Sequence, residues 1–314
     1  MPPDRDSTTS HHRPTVVAEN ARQSIDDLVA DALRYRGSKQ YRDLLAFMGR
    51  FRHYSPFNAL LVHLQIGGGA FVAPASRWRS KYGRRIVPGA RPIVLMQPFG
   101  PIMLVFDVAQ TEPDSDAPNL PDGIVKPFAM PPMQSLEPAL GWLVENAKAD
   151  GVRVSLVDAG SQSAGCIRRT ALGPVQHVAV KRRPPESVEV PVRFEVEINR
   201  ALPATETYAT IAHELAHLFC GHLGSRKPDW WPHRLAVPEP VTEFEAESAA
   251  YIACLRLDDS ARVPPHLEQY LGTQPQVPDG VSLERIAAAA GRVIEMSEGW
   301  LKPRLPDMPT PTDA

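Results

Sequence analysis

Hydrophobic positions recur along this chain with two periods, and each predicts its own kind of element. Ile25, Leu28, Val29 and Leu33 fall at helical spacing and predict a helix over 20–35; Tyr41, Leu44, Leu45 and Met48 predict a second over 39–50. Ser55-Pro56 provides an N-cap and a first-turn proline for a third helix, which runs to about Leu64 and stops at Gly67-Gly68-Gly69. A short helix over 75–82 carries Trp78 and Tyr82 and ends at Gly83. Apolar runs at 92–97 and 102–108 predict two strands joined by a turn at Phe99-Gly100. Further on, Ser135 opens a helix to about Ala149, segments 152–157 and 188–198 predict strands, and 283–299 a last helix. Within 188–198, residues 192–198 alternate cleanly between apolar and polar.

These elements fall into two groups. Between Glu112 and about Gln134 the chain is rich in proline and poor in apolar residues, which predicts a linker over 113–134. A smaller α+β domain would occupy 19–112 and a larger one 135–302, with disordered ends at 1–18 and 303–314. At 314 residues, two domains are the natural expectation, and 43% hydrophobic residues suffice for ordinary cores. Three cysteines, Cys166, Cys220 and Cys254, are odd in number and scattered, as in a reducing compartment. Cys220 and Cys254 lack the spacing of a cysteine metal site and read as small core residues. The polar start has no apolar signal region, and the most apolar stretch, 93–108, is broken by Pro98, Gly100 and Pro101. The expectation is a cytoplasmic protein with no membrane partner.

The pentad His213-Glu214-Leu215-Ala216-His217 carries the most specific chemistry. On a helix, residues i and i+4 share a face with Cβ atoms about 6 Å apart. Two imidazoles so placed can grip one Zn²⁺ at about 2.0–2.1 Å, while the intervening glutamate faces a water. Ile211, Leu215, Leu218 and Phe219 form the inward stripe such a helix needs, and Gly221 and Gly224 follow to stop it.

A catalytic zinc takes three protein ligands and keeps one position open. The segment PVTEFEAESAAYI (240–252) offers three glutamates at a helix start. Phe244, Ser248, Tyr251, Ile252 and Leu255 make its inward stripe; Glu243, Glu247 and Tyr251 lie beside it at i, i+4 and i+8. Small residues Ala246, Ala249 and Ala250 allow another helix to approach. Spacing favours Glu243 as ligand over Glu245 or Glu247, with Glu247 orienting a histidine and Glu245 pointing to solvent. Zn²⁺, one per chain, would acidify a water, and Glu214 would act as general base and then acid. Candidates for stabilising the oxyanion are Tyr251, His222, His233 and Tyr208. His222, five residues after His217, lies off the ligand face and suits a supporting role, and Trp230-Trp231 reads as a packing plug.

The runs TYATIAHELAHLFCGHLG and TEFEAESAAYIAC resemble the zinc metallopeptidases of the ImmA/IrrE group. In that group the glutamate opening an E-x-x-A motif completes the metal site, and residue-by-residue matching puts it at Glu243. The resemblance implies a zincin-like domain, an α+β fold with the HExxH helix and a glutamate-bearing helix beside a small sheet. An edge strand beside that helix, taken to be 192–198, would receive substrate backbone. The implied activity is a zinc-dependent endopeptidase acting on a peptide or a regulatory protein. Upstream, YSPFNALLVHLQ, RWRSKYGRRIVPGARPIVLMQP and LVFDVAQTE are similar to the N-terminal domain of ArdC-type antirestriction proteins, which binds single-stranded DNA. The Pro-rich stretch 113–134 and the pair Arg91-Pro92 depart from that family's pattern. The alternative implied is a DNA-binding antirestriction or sensor protein with little proteolysis.

Charge bears on the same alternative. Net charge is only −2, yet between Arg34 and Arg91 the single acidic residue is Asp43. Arg77, Arg79, Lys81, Arg84 and Arg85 surround Trp78 and Tyr82, which composition alone leaves open between phosphate contacts beside stacking rings and a solvated basic face with Trp78 in the core; the ArdC resemblance favours the first.

Overall fold

The structure, a computed structural model, describes residues 38–69, 71–97, 100–125, 135–160, 164–171, 173–225, 227–271 and 277–304. The helix expected over 20–35, the ends 1–18 and 305–314, and Phe99 of the expected turn lie outside them. The described chain opens with α1 (Ser38–Arg50) and α2 (Pro56–Ile66), and it divides into two compact units. The architecture is mixed α and β with several small sheets, as the α+β expectation has it.

The first unit, residues 58–125, adds β1 (Val72–Ala73), α3 (Ala75–Tyr82), β2 (Arg84–Ile86), β3 (Ile93–Gln97), β4 (Gly100–Asp107), β5 (Thr111–Pro113) and α4 (Asp122–Val125). β1, β4 and β3 form an antiparallel sheet with β4 central, and β2 pairs with β5. Asn58 and Gln65 of α2 bond the main chain of β3 at Met96 and Val94, which satisfies that edge. Trp78 is fully buried with Phe71, Ala73, Tyr82 and Ile124, and its Nε1 donates to Phe106 O at 2.8 Å. The stretch expected as a linker contributes to this core: Leu120 and Ile124 pack into it.

The second unit holds α1 and everything from residue 135 on. Its elements are α5 (Leu136–Ala147), β6 (Val152–Val157), β7 (Gly165–Arg169), β8 (Val175–Arg182), β9 (Pro185–Pro191), β10 (Phe194–Asn199), α6 (Ala204–Phe219), α7 (Glu239–Leu257), α8 (Pro265–Leu271) and α9 (Leu283–Glu298). α1, placed by its sequence neighbours in a domain 19–112, belongs here instead. Its apolar stripe of Tyr41, Leu44, Leu45 and Met48 is buried, and Tyr41 meets Phe244 of α7 at 5.1 Å between ring centres.

The expected strand 188–198 is two strands. Val192 N bonds Pro174 O and Arg193 N bonds Gly151 O, which takes the chain out of one ladder and into another. β9 pairs with β8 as a hairpin, while β10 is the centre of a three-stranded sheet, parallel to β6 and antiparallel to β7. β10 is therefore not an edge; in that sheet the strand on α6's side is β7, which no periodicity in GCIRR announces. The alternation in β10 survives as polarity: Phe194, Val196 and Ile198 face the core, and Arg153 and Arg168 from the flanking strands close over Glu195. Among the described residues, no helix is long and apolar enough to cross a membrane.

Candidate metal centre

α6 and α7 pack side by side and bring their polar stripes together. Ile211, Leu215, Leu218 and Phe219 are buried, so His213 and His217 turn to the opposite side, where His213 lines a cleft. α7 places Phe244, Ser248, Ile252 and Leu255 in the core at 0% exposure, which aims Glu243 and Glu247 at the same cleft. The two Nε2 atoms of His213 and His217 stand 3.1 Å apart. Glu243 closes the triangle, with one carboxylate oxygen 3.6 Å from His213 Nε2 and the other 3.4 Å from His217 Nε2.

This donor set fits a divalent ion. Donors held at about 2.0–2.2 Å from one tetrahedral centre lie roughly 3.3–3.6 Å from each other, close to the separations found. Two imidazole nitrogens and a carboxylate are donors that zinc and other first-row divalent metals accept. His213 Nδ1 lies 3.7 Å from a carboxylate oxygen of Glu247, on the side away from the triangle.

Electrostatics follows the geometry. Burial lowers the proton affinity of His213, but Glu243, Glu247 and Glu214 outweigh it and leave the ring above its ordinary pKa. The hydrogen bonds from His213 and then His217 hold Glu243 well below the carboxylate range. Glu214, 8% exposed, is pushed the other way by burial, against the pull of His213, His217 and a hydrogen bond from the Ile167 main chain. That last contact ties Glu214 to β7. Gly165 makes it feasible: a Cβ there would meet Thr210 Cγ2 at 2.7 Å and Glu197 O at 2.8 Å, so only glycine lets the strand lie this close to α6.

The cleft measures about 500 Å³. It runs from Gly165, His213 and Glu214 along α7 past Ala250 and Cys254 to Leu257 and Pro264, between mostly apolar walls.

Several residues do not take the places expected of them. Glu245 does not reach solvent: it is fully buried, paired with Arg234 at 2.6 and 2.9 Å and with His222 at 2.8 Å. Burial raises its pKa, but the His222, Arg234 and Ser282 hydrogen bonds prevail and it lies below the ordinary value. His222 is kept below the usual histidine value, by burial above all. The oxyanion candidates fare poorly. His233 is exposed and sits against Ser225, away from the cleft. Tyr208 directs its hydroxyl to Ser297 at 2.9 Å. Tyr251 lines the cleft, but the charges acting on its hydroxyl are Arg50, Arg42 and Glu268, none of them in the metal site.

The basic run is divided as well. Arg42 pairs with Glu268, Arg52 with Asp259, and Arg50 bonds Asp259 O, all inside the second unit. In the first unit, Trp78 and Tyr82 are core residues and offer no stacking surface. Arg84 is spent on Thr111, and Arg85 stands near Glu112 and Asp114. Arg77, Arg79 and Lys81 remain exposed on α3.

No protein-family model matches the chain, and no curated protein matches it. Among solved structures the chain is similar to the metal-free crystal structure of the antirestriction protein ArdC from plasmid R388. The two share 14% identity over 78% of this chain and 84% of that one, with a TM-score of 0.34, a likeness too slight to carry an argument.

Proposed function

We propose that this chain is a metal-dependent hydrolase of peptide bonds, with His213, His217 and Glu243 holding one zinc ion. The reading rests on one observation: three donors from two helices converge within 3.1–3.6 Å, beside a buried glutamate that opens on a cleft. When bound, the ion supplies Lewis acidity that polarises a carbonyl and acidifies water. Glu214 takes the proton of the attacking water and passes it to the departing amine nitrogen. Its raised pKa suits both halves of that transfer. Glu247 steadies the His213 ring, and the mostly apolar walls of the cleft flank the reacting bond. The finer reading, an endopeptidase of ImmA/IrrE type that cleaves a regulatory protein, draws on the HELAH and TEFEAE runs alone.

The test is Glu214→Gln in the full chain. It should retain zinc and fold, and lower hydrolysis of a mixed peptide library by about 10²–10⁴-fold. A wild-type protein that holds zinc yet cleaves nothing in such a library would defeat the peptidase reading.

Exposed Arg77, Arg79 and Lys81 favour a second reading, in which the first unit binds single-stranded DNA and the chain acts as an antirestriction or sensor protein with little proteolysis. Backbone contacts would carry that binding, since the aromatic rings of α3 are buried. A labelled oligonucleotide at low salt tests it, and absence of binding there rejects it.

A further inference from the structure

Behind His217 lies a line of buried polar groups that the proposed chemistry does not use. His217 Nδ1 stands 3.1 Å from His222 Nδ1. His222 Nε2 lies 2.8 Å from Glu245 Oε2. Glu245 is surrounded by donors: Arg234 reaches both its oxygens at 2.6 and 2.9 Å, and Ser282 N donates to Oε1 at 2.8 Å. Arg234 also bonds Cys220 O at 3.1 Å, which anchors it to the end of α6. Gly221, with φ at +87°, turns the chain there so that the loop can return; a Cβ on it would fall 2.3 Å from Pro232 O.

Cys220, His222 and Glu245 are near enough to one another to suggest a second metal site. The guanidinium of Arg234 already occupies the carboxylate, so a cation there would be repelled. The group is better understood by following its protons. An ionised carboxylate accepts only, so His222 must carry its proton on Nε2. Arg234 balances the charge of Glu245, and a His222 ring that carries one proton, on Nε2, keeps its lone pair on Nδ1. In that arrangement the facing Nδ1 of His217 is the donor across the 3.1 Å contact. The proton of His217 is thereby fixed on Nδ1, and its lone pair on Nε2, the atom 3.1 Å from His213 Nε2 and 3.4 Å from Glu243.

We infer that Glu245, His222 and Arg234 form a positioning relay that sets the tautomer and orientation of His217 for metal binding. The inference rests on the metal-centre reading above. Ligating histidines commonly give their second N–H to a carboxylate or carbonyl; here a neutral imidazole stands between, backed by a carboxylate that an arginine and a main-chain N–H hold in place. Ser282, the N-cap of α9, thus ties that helix to the site.

Long-range ¹H–¹⁵N spectra of the metal-free full chain read both tautomers directly and need no variant. The expected result is a proton on Nδ1 of His217 and on Nε2 of His222; the opposite tautomer at His217 overturns the relay. Zinc affinity by chelator competition is the second arm. His222→Leu should bind zinc about 10–100-fold more weakly than wild type, and His213→Ala should lose tight binding altogether. Unchanged affinity in a folded His222→Leu protein overturns the relay while leaving the metal centre intact. If the wild type takes up no zinc, the centre itself falls and the relay's purpose with it. That failure is recognised because the tautomers remain readable. Should His222→Leu fail to fold, the spectra of the wild type decide alone.

Discussion

Gly165 on β7 stands so close to Thr210 on α6 that a methyl group added to it would lie 2.7 Å from Thr210 Cγ2. Thr210 is one turn before His213, and two residues beyond Gly165 the main chain of Ile167 bonds Glu214. Gly165→Ala should push the strand away and loosen Glu214 from its hydrogen bond. A loss of roughly 1–3 kcal/mol in denaturant unfolding is expected, as for other overpacked sites. Gly141→Ala is the control: it sits exposed in α5 with nothing within 4 Å of the added carbon, and should stabilise by about 0.5–1 kcal/mol. Equal effects from the two substitutions would show that the close approach at Gly165 is unimportant.

Trp78 makes a separate test, because its burial contradicts a role in stacking on bases. Trp78→Ala should destabilise the first unit by about 3–5 kcal/mol through cavity formation. Replacing Arg77, Arg79 and Lys81 together with glutamate should leave stability within about 0.5 kcal/mol of wild type. If the first unit binds single-stranded DNA, the triple variant loses that binding while Trp78→Phe retains it. Loss of binding in a folded Trp78→Phe protein would return the indole to the interface.

How much of this was legible beforehand depends on how local the signal is. The shared face of His213 and His217 was legible because helix spacing is a property of neighbours four residues apart, and an apolar stripe shows which way the helix faces; Glu243, on a second helix, was picked out by its own stripe and by the E-x-x-A resemblance. Trp78 in the core is one of the two readings that composition leaves open, and helix spacing decides for it: at i and i+4 Trp78 and Tyr82 share one face, and Arg77, Arg79 and Lys81 take the others. Glu245 was not. Its partners lie 11, 23 and 37 residues away, at Arg234, His222 and Ser282, and no local pattern announces a pairing across three separate segments. β7 escaped notice for a related reason: it is a five-residue strand whose glycine fits a neighbouring helix and whose side chains show no clean alternation. α1 followed its sequence neighbours into the wrong unit, since a stripe shows that a helix packs but not against what.

The three cysteines predict an order of reactivity. Cys166 is exposed on β7, though partial burial and the charges of Glu197 and Glu214 keep its thiol above the ordinary pKa. Cys254 lines the cleft and burial pushes it up to about 12; Cys220 is fully buried and raised by the same cause. Since the thiolate is the nucleophile, iodoacetamide at pH 8 should label Cys166 first and leave Cys220 and Cys254 unmodified until the protein unfolds. Mass spectrometry of the digested protein reads this order, and early labelling of Cys220 would contradict the packing at the end of α6.

The central sheet carries a pH-dependent increment of stability. Glu195 of β10 lies between Arg153 of β6 and Arg168 of β7, its cross-strand partners in register, and Arg168 reaches it at 2.9 Å. The hydrogen bond from Arg168, then that from Arg153, holds its carboxyl below the ordinary value of 4.5 despite burial. A carboxyl depressed in the folded state contributes stability above its unfolded pKa and loses it as pH falls through the folded one. Glu195→Gln should therefore be less stable than wild type at pH 7, by about 1 kcal/mol because the two arginines are half exposed. The gap should narrow below pH 4.5 and close once the wild-type carboxyl is protonated. Urea unfolding at pH 7 and pH 3 measures it. A gap that stays constant between those values would mean that the glutamate acts through its shape rather than its charge.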